Sequence, residues 1–204
     1  IVGGSYVFDV QTPTTVLKDF KFNLPGRHNL SNALIALAMA VEFGCPHQQL
    51  AKALASFNGV KRRFSYQIKN DNLVYIDDYA HHPEEINAVY QAVRELYPGK
   101  EVMVIFQPHL FSRTRDFIDD FATALSQFDQ IILLDIYPAR ELPIPGVDAA
   151  WLLSKIENPN KKLVQKSELK SFLTNNTAQV VLSLGAGDIG EEVNLIKQSL
   201  SNAS

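Results

Sequence analysis

Four short runs, almost wholly apolar, decide what most of this chain can fold into. Residues 73–76, 102–106, 131–134 and 180–184 consist of Val, Ile, Leu, Phe, Met and Tyr, with a single serine among them. A strand with one wet face alternates apolar and polar residues, whereas an unbroken apolar strand has to be covered on both faces. Between these runs lie segments with helical spacing, at 83–97 and 114–128, two shorter ones at 149–156 and 167–174, and a last one at 188–200. Strands that alternate with helices predict an α/β fold, a Rossmann-like and mostly parallel sheet with helices on both faces.

The first 60 residues have a different rhythm. Tyr6-Val7-Phe8-Asp9-Val10 and Leu17-Lys18-Asp19-Phe20-Lys21-Phe22 alternate loosely and predict two antiparallel strands, with Pro13 in the turn. Two strands are too few to be stable alone, so they are expected to belong to a larger sheet. After Pro25-Gly26, the residues Leu30, Ala33, Leu34, Leu37, Ala38 and Val41 form one helical stripe. Gly44 is expected just past the end of that helix, and Pro46 opens a shorter one striped by Leu50, Leu54 and Phe57. Asn58-Gly59 and the basic run Lys61-Arg62-Arg63 then place a domain boundary near residue 60, giving domains 1–60 and 61–204. The chain opens on Ile1 rather than methionine, which suggests a piece of something larger.

Composition removes several function classes. With 46% apolar residues the chain is too hydrophobic to be disordered. A net charge of −3 argues against wholesale binding to nucleic acid or to an acidic membrane surface. No apolar run approaches the ~18 residues of a membrane-spanning helix. The one cysteine, Cys45, is expected to be structural, and it excludes an internal disulfide.

In an open α/β sheet, ligands bind beyond the carboxyl ends of the strands. Those ends are chemically rich here. Asp77-Asp78-Tyr79-Ala80-His81-His82-Pro83 brings two carboxylates and two imidazoles to the start of a helix. Carboxylates suit Mg²⁺ or ribose hydroxyls, and imidazoles suit proton transfer. Helix capping by one Asp is the plainer alternative for any single member, and His82 is read as structural. Gln107-Pro108-His109-Leu110-Phe111-Ser112-Arg113-Thr114-Arg115 places two arginines where a helix is expected to begin. Basic residues are unfavourable there without an anionic partner, which Asp116, Asp119 or Asp120 could also supply. Gly185-Ala186-Gly187-Asp188-Ile189-Gly190 follows a strand in the manner of a dinucleotide loop, but the chain ends before the acidic residue such sites need. A loop that approaches an anion closely is the remaining expectation. Asn29 and Asn32 share a helix face and could read the edge of a base, with N-capping by Asn29 as the alternative.

Taken with Gly59-Val60-Lys61-Arg62-Arg63-Phe64, these segments resemble the Mur ligases, from about Tyr6 to the last helix. The resemblance implies the tail of a central ATP-binding domain over 1–60 and the whole amino-acid-binding domain over 61–204. It implies an ATP-dependent, amide-forming ligase of peptidoglycan precursor synthesis in the bacterial cytoplasm. The implied small molecules are UDP-N-acetylmuramate, L-alanine and ATP, joined through an acyl phosphate. By the same resemblance His81, His109 and Arg113 form the L-alanine pocket, while Asn29, Asn32, Arg63 and Asp78 contact the nucleotide. Leu110 stands where some relatives have Arg. Mg²⁺ is expected to be held mainly by residues outside this chain, which also has no Gly-x-x-x-x-Gly-Lys-[Ser/Thr] phosphate loop, so the chain alone is expected to be inactive. A relative that recycles a murein tripeptide, a metal-dependent phosphoesterase built on 77–82 and a non-catalytic nucleotide-binding module are the alternatives.

Overall fold

The computed structural model describes residues 5–202. The chain divides into two compact units. One runs to Val60 and includes Gln91–Pro98; the other comprises Lys61–Tyr90 and the chain from Gly99 onward.

In the first unit, β1 (Tyr6–Gln11) and β2 (Val16–Phe22) pair antiparallel, and they pair with no other described strand. The turn closes through a hydrogen bond from Thr12 N to Thr15 O at 2.8 Å. Helix α1 (Arg27–Glu42) ends in a Schellman motif. Gly44 at φ 77° donates to Val41 O, and Cys45 donates to Ala40 O. Helix α2 (His47–Ser56) follows. Only part of the apolar stripe is covered: Ala33 and Leu37 are buried, whereas Leu34 is 46% exposed and Ala38 is exposed. Cys45 is exposed as well, so its side chain is not the structural element expected; its backbone N–H is what contributes.

The second unit is the predicted α/β sheet, with strand order β3-β4-β8-β5-β6-β7. The elements that follow α2 are β3 (Ser65–Lys69), β4 (Val74–Asp78), α3 (Pro83–Leu96), β5 (Val102–Phe106), α4 (Phe111–Asp116), α5 (Ile118–Ser126), β6 (Gln130–Leu133), α6 (Ala149–Lys155), β7 (Lys161–Leu163), α7 (Leu169–Leu173), β8 (Val180–Leu184) and α8 (Val193–Ser201). Every residue of β4, β5 and β8 is buried, as two-sided coverage requires. All pairs are parallel except β3 with β4. The last strand, β8, inserts between β4 and β5, so their three carboxyl ends lie side by side: Asp78 and Phe106 both align with Leu184. That insertion is the topological switch at which such sheets bind ligands.

Two strands and one helix break go beyond the sequence expectation. β3 alternates half-buried polar and apolar residues, and β7 is three residues of an edge rich in lysine. The stretch expected as one helix over 114–128 is two, because Phe117 takes φ −119°, ψ 26° and interrupts it. Arg113 and Arg115 therefore sit in the last turn of α4, where the helix dipole favours cations, and not at a helix start. Arg115 pairs with Asp116 at 2.8 Å in the open, so among the described residues the pairing with a helix anion that the sequence suggested holds for Arg115 and not for Arg113.

Candidate functional site

The carboxylates at the end of β4 are buried and engaged. Asp77 accepts from Ser183 Oγ at 2.8 Å and from Arg62 Nε at 3.1 Å. Tyr75 OH lies 2.9 Å from Ser183 Oγ, and since that hydroxyl donates its proton to Asp77, Tyr75 is the donor. Asp78 accepts from Phe64 N at 2.6 Å and from Ala80 N at 2.8 Å. Arg62 also donates to Gly185 O at 2.6 Å and lies 5.2 Å from the Tyr79 ring centroid. Arg62 and Phe64 both have positive φ, 60° and 48°, a costly conformation for non-glycine residues that these bonds hold in place. Burial pushes the Asp77 carboxyl up, against the pull of Arg62 and Ser183. Burial likewise pushes Asp78 up to about 6, against its two backbone donors. The two carboxylates thus fasten the turn at 62–64 to the sheet. Among the described residues no three His, Cys, Asp or Glu side chains are placed to hold a metal ion. Asp77 to His82 do not gather three such side chains, and all four oxygens of Asp77 and Asp78 already accept hydrogen bonds from the protein.

The glycine loop after β8 is packed by protein. A Cβ on Gly185 would meet Gln107 O at 2.8 Å, one on Gly187 would meet Gln107 Oε1 at 2.5 Å, and one on Gly190 would meet Arg62 Nη1 at 2.5 Å. Gln107 accepts from Ile189 N at 2.9 Å and donates to Asp188 Oδ1 at 2.7 Å; Lys166 pairs with the other Asp188 oxygen. Burial opposes ionisation of Asp188, but the bonds from Lys166 and Gln107 hold its carboxyl below the usual range. The loop makes its close approaches to side chains of its own unit.

The imidazoles are differently placed. Pro83 opens α3, and Glu85 reaches back to accept from His81 N at 2.8 Å and His82 N at 3.2 Å, as a capping residue does. His82 packs edge-on against Phe117, with centroids 4.6 Å apart. His81 directs Nδ1 at Tyr79 O (2.9 Å) and Glu85 Oε2 (3.1 Å). From the end of β5, His109 stacks on Tyr137 with centroids 5.6 Å apart, and its Nδ1 lies 3.3 Å from Arg113 Nη1. The His81 and His109 ring centroids are 6.0 Å apart. Burial holds the His109 pKa below its usual value, reinforced by Arg113 and His81. The ends of β4 and β5, the two strands that flank β8, thus bring His81, His109 and Arg113 together.

Leu110 occupies φ 74°, held by its N–H to Tyr137 O at 2.9 Å. Glu141, from the loop after β6, accepts from Ser112 N at 2.9 Å and from Ser112 Oγ, and those bonds hold its carboxyl below the usual range. Tyr137 and Glu141 carry no signal in a single sequence beyond their residue type, and Arg62 shows only as a member of the basic run Lys61-Arg62-Arg63. Arg63 is half-exposed, 3.9 Å from Glu85. Asn29 and Asn32 lie in the first unit. Gly26, not Asn29, is the N-cap of α1, and Asn29 donates to Pro25 O at 2.7 Å, while Asn32 is exposed.

Comparison with known proteins identifies the family of the chain. The profile of the Mur ligase, glutamate ligase domain matches residues 62–189. A UDP-N-acetylmuramate–L-alanine ligase of Flavobacterium psychrophilum is 66% identical over 200 residues, which are 98% of this chain and 45% of that protein. One from Porphyromonas gingivalis is 48% identical over 97% of this chain and 43% of that protein. The chain spans rather less than half the length of the curated relatives it matches. Among solved structures, the UDP-N-acetylmuramate–alanine ligase of Thermotoga maritima superposes with a TM-score of 0.75 at 28% identity, covering 93% of this chain and 43% of that one. A murein peptide ligase from Psychrobacter arcticus superposes at 0.63 with 19% identity, which speaks for the fold alone. No described helix is long and apolar enough to cross a membrane.

Proposed function

This chain belongs to the Mur ligase family, and on that premise we propose that it supplies the amino-acid-binding part of an enzyme joining L-alanine to UDP-N-acetylmuramate at the expense of ATP. In this reading ATP converts the muramoyl carboxylate to an acyl phosphate, and the amine of L-alanine displaces phosphate from it. The observation that carries the reading is the convergence of His81, His109 and Arg113 at the carboxyl ends of β4 and β5. Arg113 binds the alanine carboxylate; with Leu110 in place of a second arginine, it is the guanidinium four residues from His109 and in contact with its ring.

The nucleotide is contacted by Asn29 and Asn32 at the adenine and by Arg63 at ribose or phosphate. Asp78 acts through the turn it fastens, since both its oxygens accept backbone N–H groups and it is 4% exposed. Mg²⁺ is held by residues other than those described, and no step here is routed through it. The similarity of the chain to L-alanine ligases at 41–66% identity favours L-alanine over a murein tripeptide as the substrate.

Calorimetric titration of the chain with L-alanine tests the proposal. Saturable heat that disappears in Arg113→Ala supports it. Saturable heat that survives in a folded Arg113→Ala protein places the carboxylate elsewhere and overturns the assignment.

A further inference from the structure

The two imidazoles of the cluster are fixed in opposite tautomers by partners that leave no choice. A guanidinium has only donors, so the 3.3 Å bond between Arg113 Nη1 and His109 Nδ1 requires His109 Nδ1 to be the acceptor. The proton of the neutral His109 ring is then on Nε2. At His81 the logic inverts. Its Nδ1 faces a backbone carbonyl, Tyr79 O at 2.9 Å, and a carboxylate oxygen of Glu85 at 3.1 Å, which only accept. The proton of the neutral His81 ring is therefore on Nδ1, and Nε2 carries a bare lone pair. Neither Nε2 has a hydrogen-bond partner among the described residues.

We infer that the pair divides one reaction between them: His81 Nε2 accepts the proton of the attacking amine, and His109 Nε2–H donates to the oxygen that becomes negative. This rests on the amino-acid reading above and assigns its two imidazoles different chemistry. The amine nitrogen attacks the carbonyl carbon of the acyl phosphate and a C–N bond forms. The carbonyl oxygen of the tetrahedral intermediate takes up negative charge and is stabilised by His109 Nε2–H. The C–O bond to phosphate then breaks, phosphate leaves with the electron pair, and the proton lost by nitrogen resides on His81 Nε2. General-base and oxyanion roles of this kind each need a group in the right protonation state before the substrate arrives. The second layer sets those states here: Arg113 denies His109 the role of base at Nδ1, and Tyr79 with Glu85 leaves His81 no donor at Nε2. Glu85 is thus a positioning residue for the chemistry as well as the cap of α3.

Nitrogen-15 NMR of the imidazoles in the unsubstituted chain, at a pH where both rings are neutral, reads the tautomers directly. The expected result is a protonated Nδ1 and an unprotonated Nε2 for His81, and the reverse for His109. Arg113→Ala should release His109 towards a mixture while leaving His81 unchanged. The same tautomer at both rings, or a protonated His109 Nδ1, overturns the inference and leaves the amino-acid reading intact. Opposite tautomers that do not respond at either ring to saturating L-alanine overturn the amino-acid reading, and with it the roles assigned to the pair.

Discussion

The end of β4 carries two kinds of titratable residue within a few positions of each other, and the protein uses them in opposite ways. Asp77 and Asp78 are buried, and every carboxylate oxygen accepts a hydrogen bond from the protein. His81, together with His109 beyond β5 on the other side of β8, is half-buried and has one ring nitrogen engaged and one without a partner among the described residues. Polar residues at a strand's carboxyl end thus divide into those that build the platform and those that stand on it. Degree of engagement separates the two groups better than residue type does.

If the carboxylates are platform, breaking them should cost stability first. Arg62→Ala has the largest expected effect. It leaves Asp77 buried without its cation and removes the bond to Gly185 O, and a broken buried pair costs about 3–5 kcal/mol. Asp78→Ala leaves the Phe64 and Ala80 N–H groups without their acceptor, a loss of about 2–4 kcal/mol from two buried donors. Both are read from urea unfolding followed by circular dichroism.

The Asp78 carboxyl adds a pH signature. Its folded pKa, about 6, lies above the ordinary value of 3.8, so the folded state holds this proton more tightly than the unfolded chain does. The contribution to stability is complete below about pH 4 and declines as pH rises to about 6, after which it is flat. Unfolding free energies measured across that window should lose part of this downward slope in Asp78→Ala. Gly187→Ala comes next. Its Cβ would fall 2.5 Å from Gln107 Oε1 and 2.7 Å from the Tyr137 Cβ and Cγ atoms, an overpacking worth about 1–3 kcal/mol in a thermal melt. Arg113→Ala should have the smallest effect on stability and the largest on L-alanine binding, the inverse of Arg62→Ala. A comparable stability loss from the two arginines would erase the distinction between platform and site.

The parallel core is legible in the sequence because a strand buried on both faces leaves an unbroken apolar run, and four such runs are present. β3 and β7 are not legible, because edge strands carry polar and lysine residues that read equally well as loop. The break at Phe117 is hidden because a phenylalanine fits either a helix interior or its interruption. That concealed break is why Arg113 and Arg115 read as cations at the wrong helix end.

The site was half legible for a similar reason. Residue types at strand ends point to His81, His109 and Arg113, whereas the occupation of Asp78 by Phe64 N–H depends on a left-handed turn that no spacing announces. The glycines at 185, 187 and 190 follow a dinucleotide-loop spacing, yet they are required by the crowding of Gln107, Tyr137 and Arg62.

The most direct test of the division between platform and site is a chemical-shift map of the chain titrated with L-alanine. The account predicts saturable shifts at His81, His109 and Arg113, with the amides of Phe64, Ala80 and Gly185–Gly190 little changed. Shifts centred on Gly185–Gly190 or on the Asp77–Asp78 platform, with the two imidazoles unmoved, would contradict it.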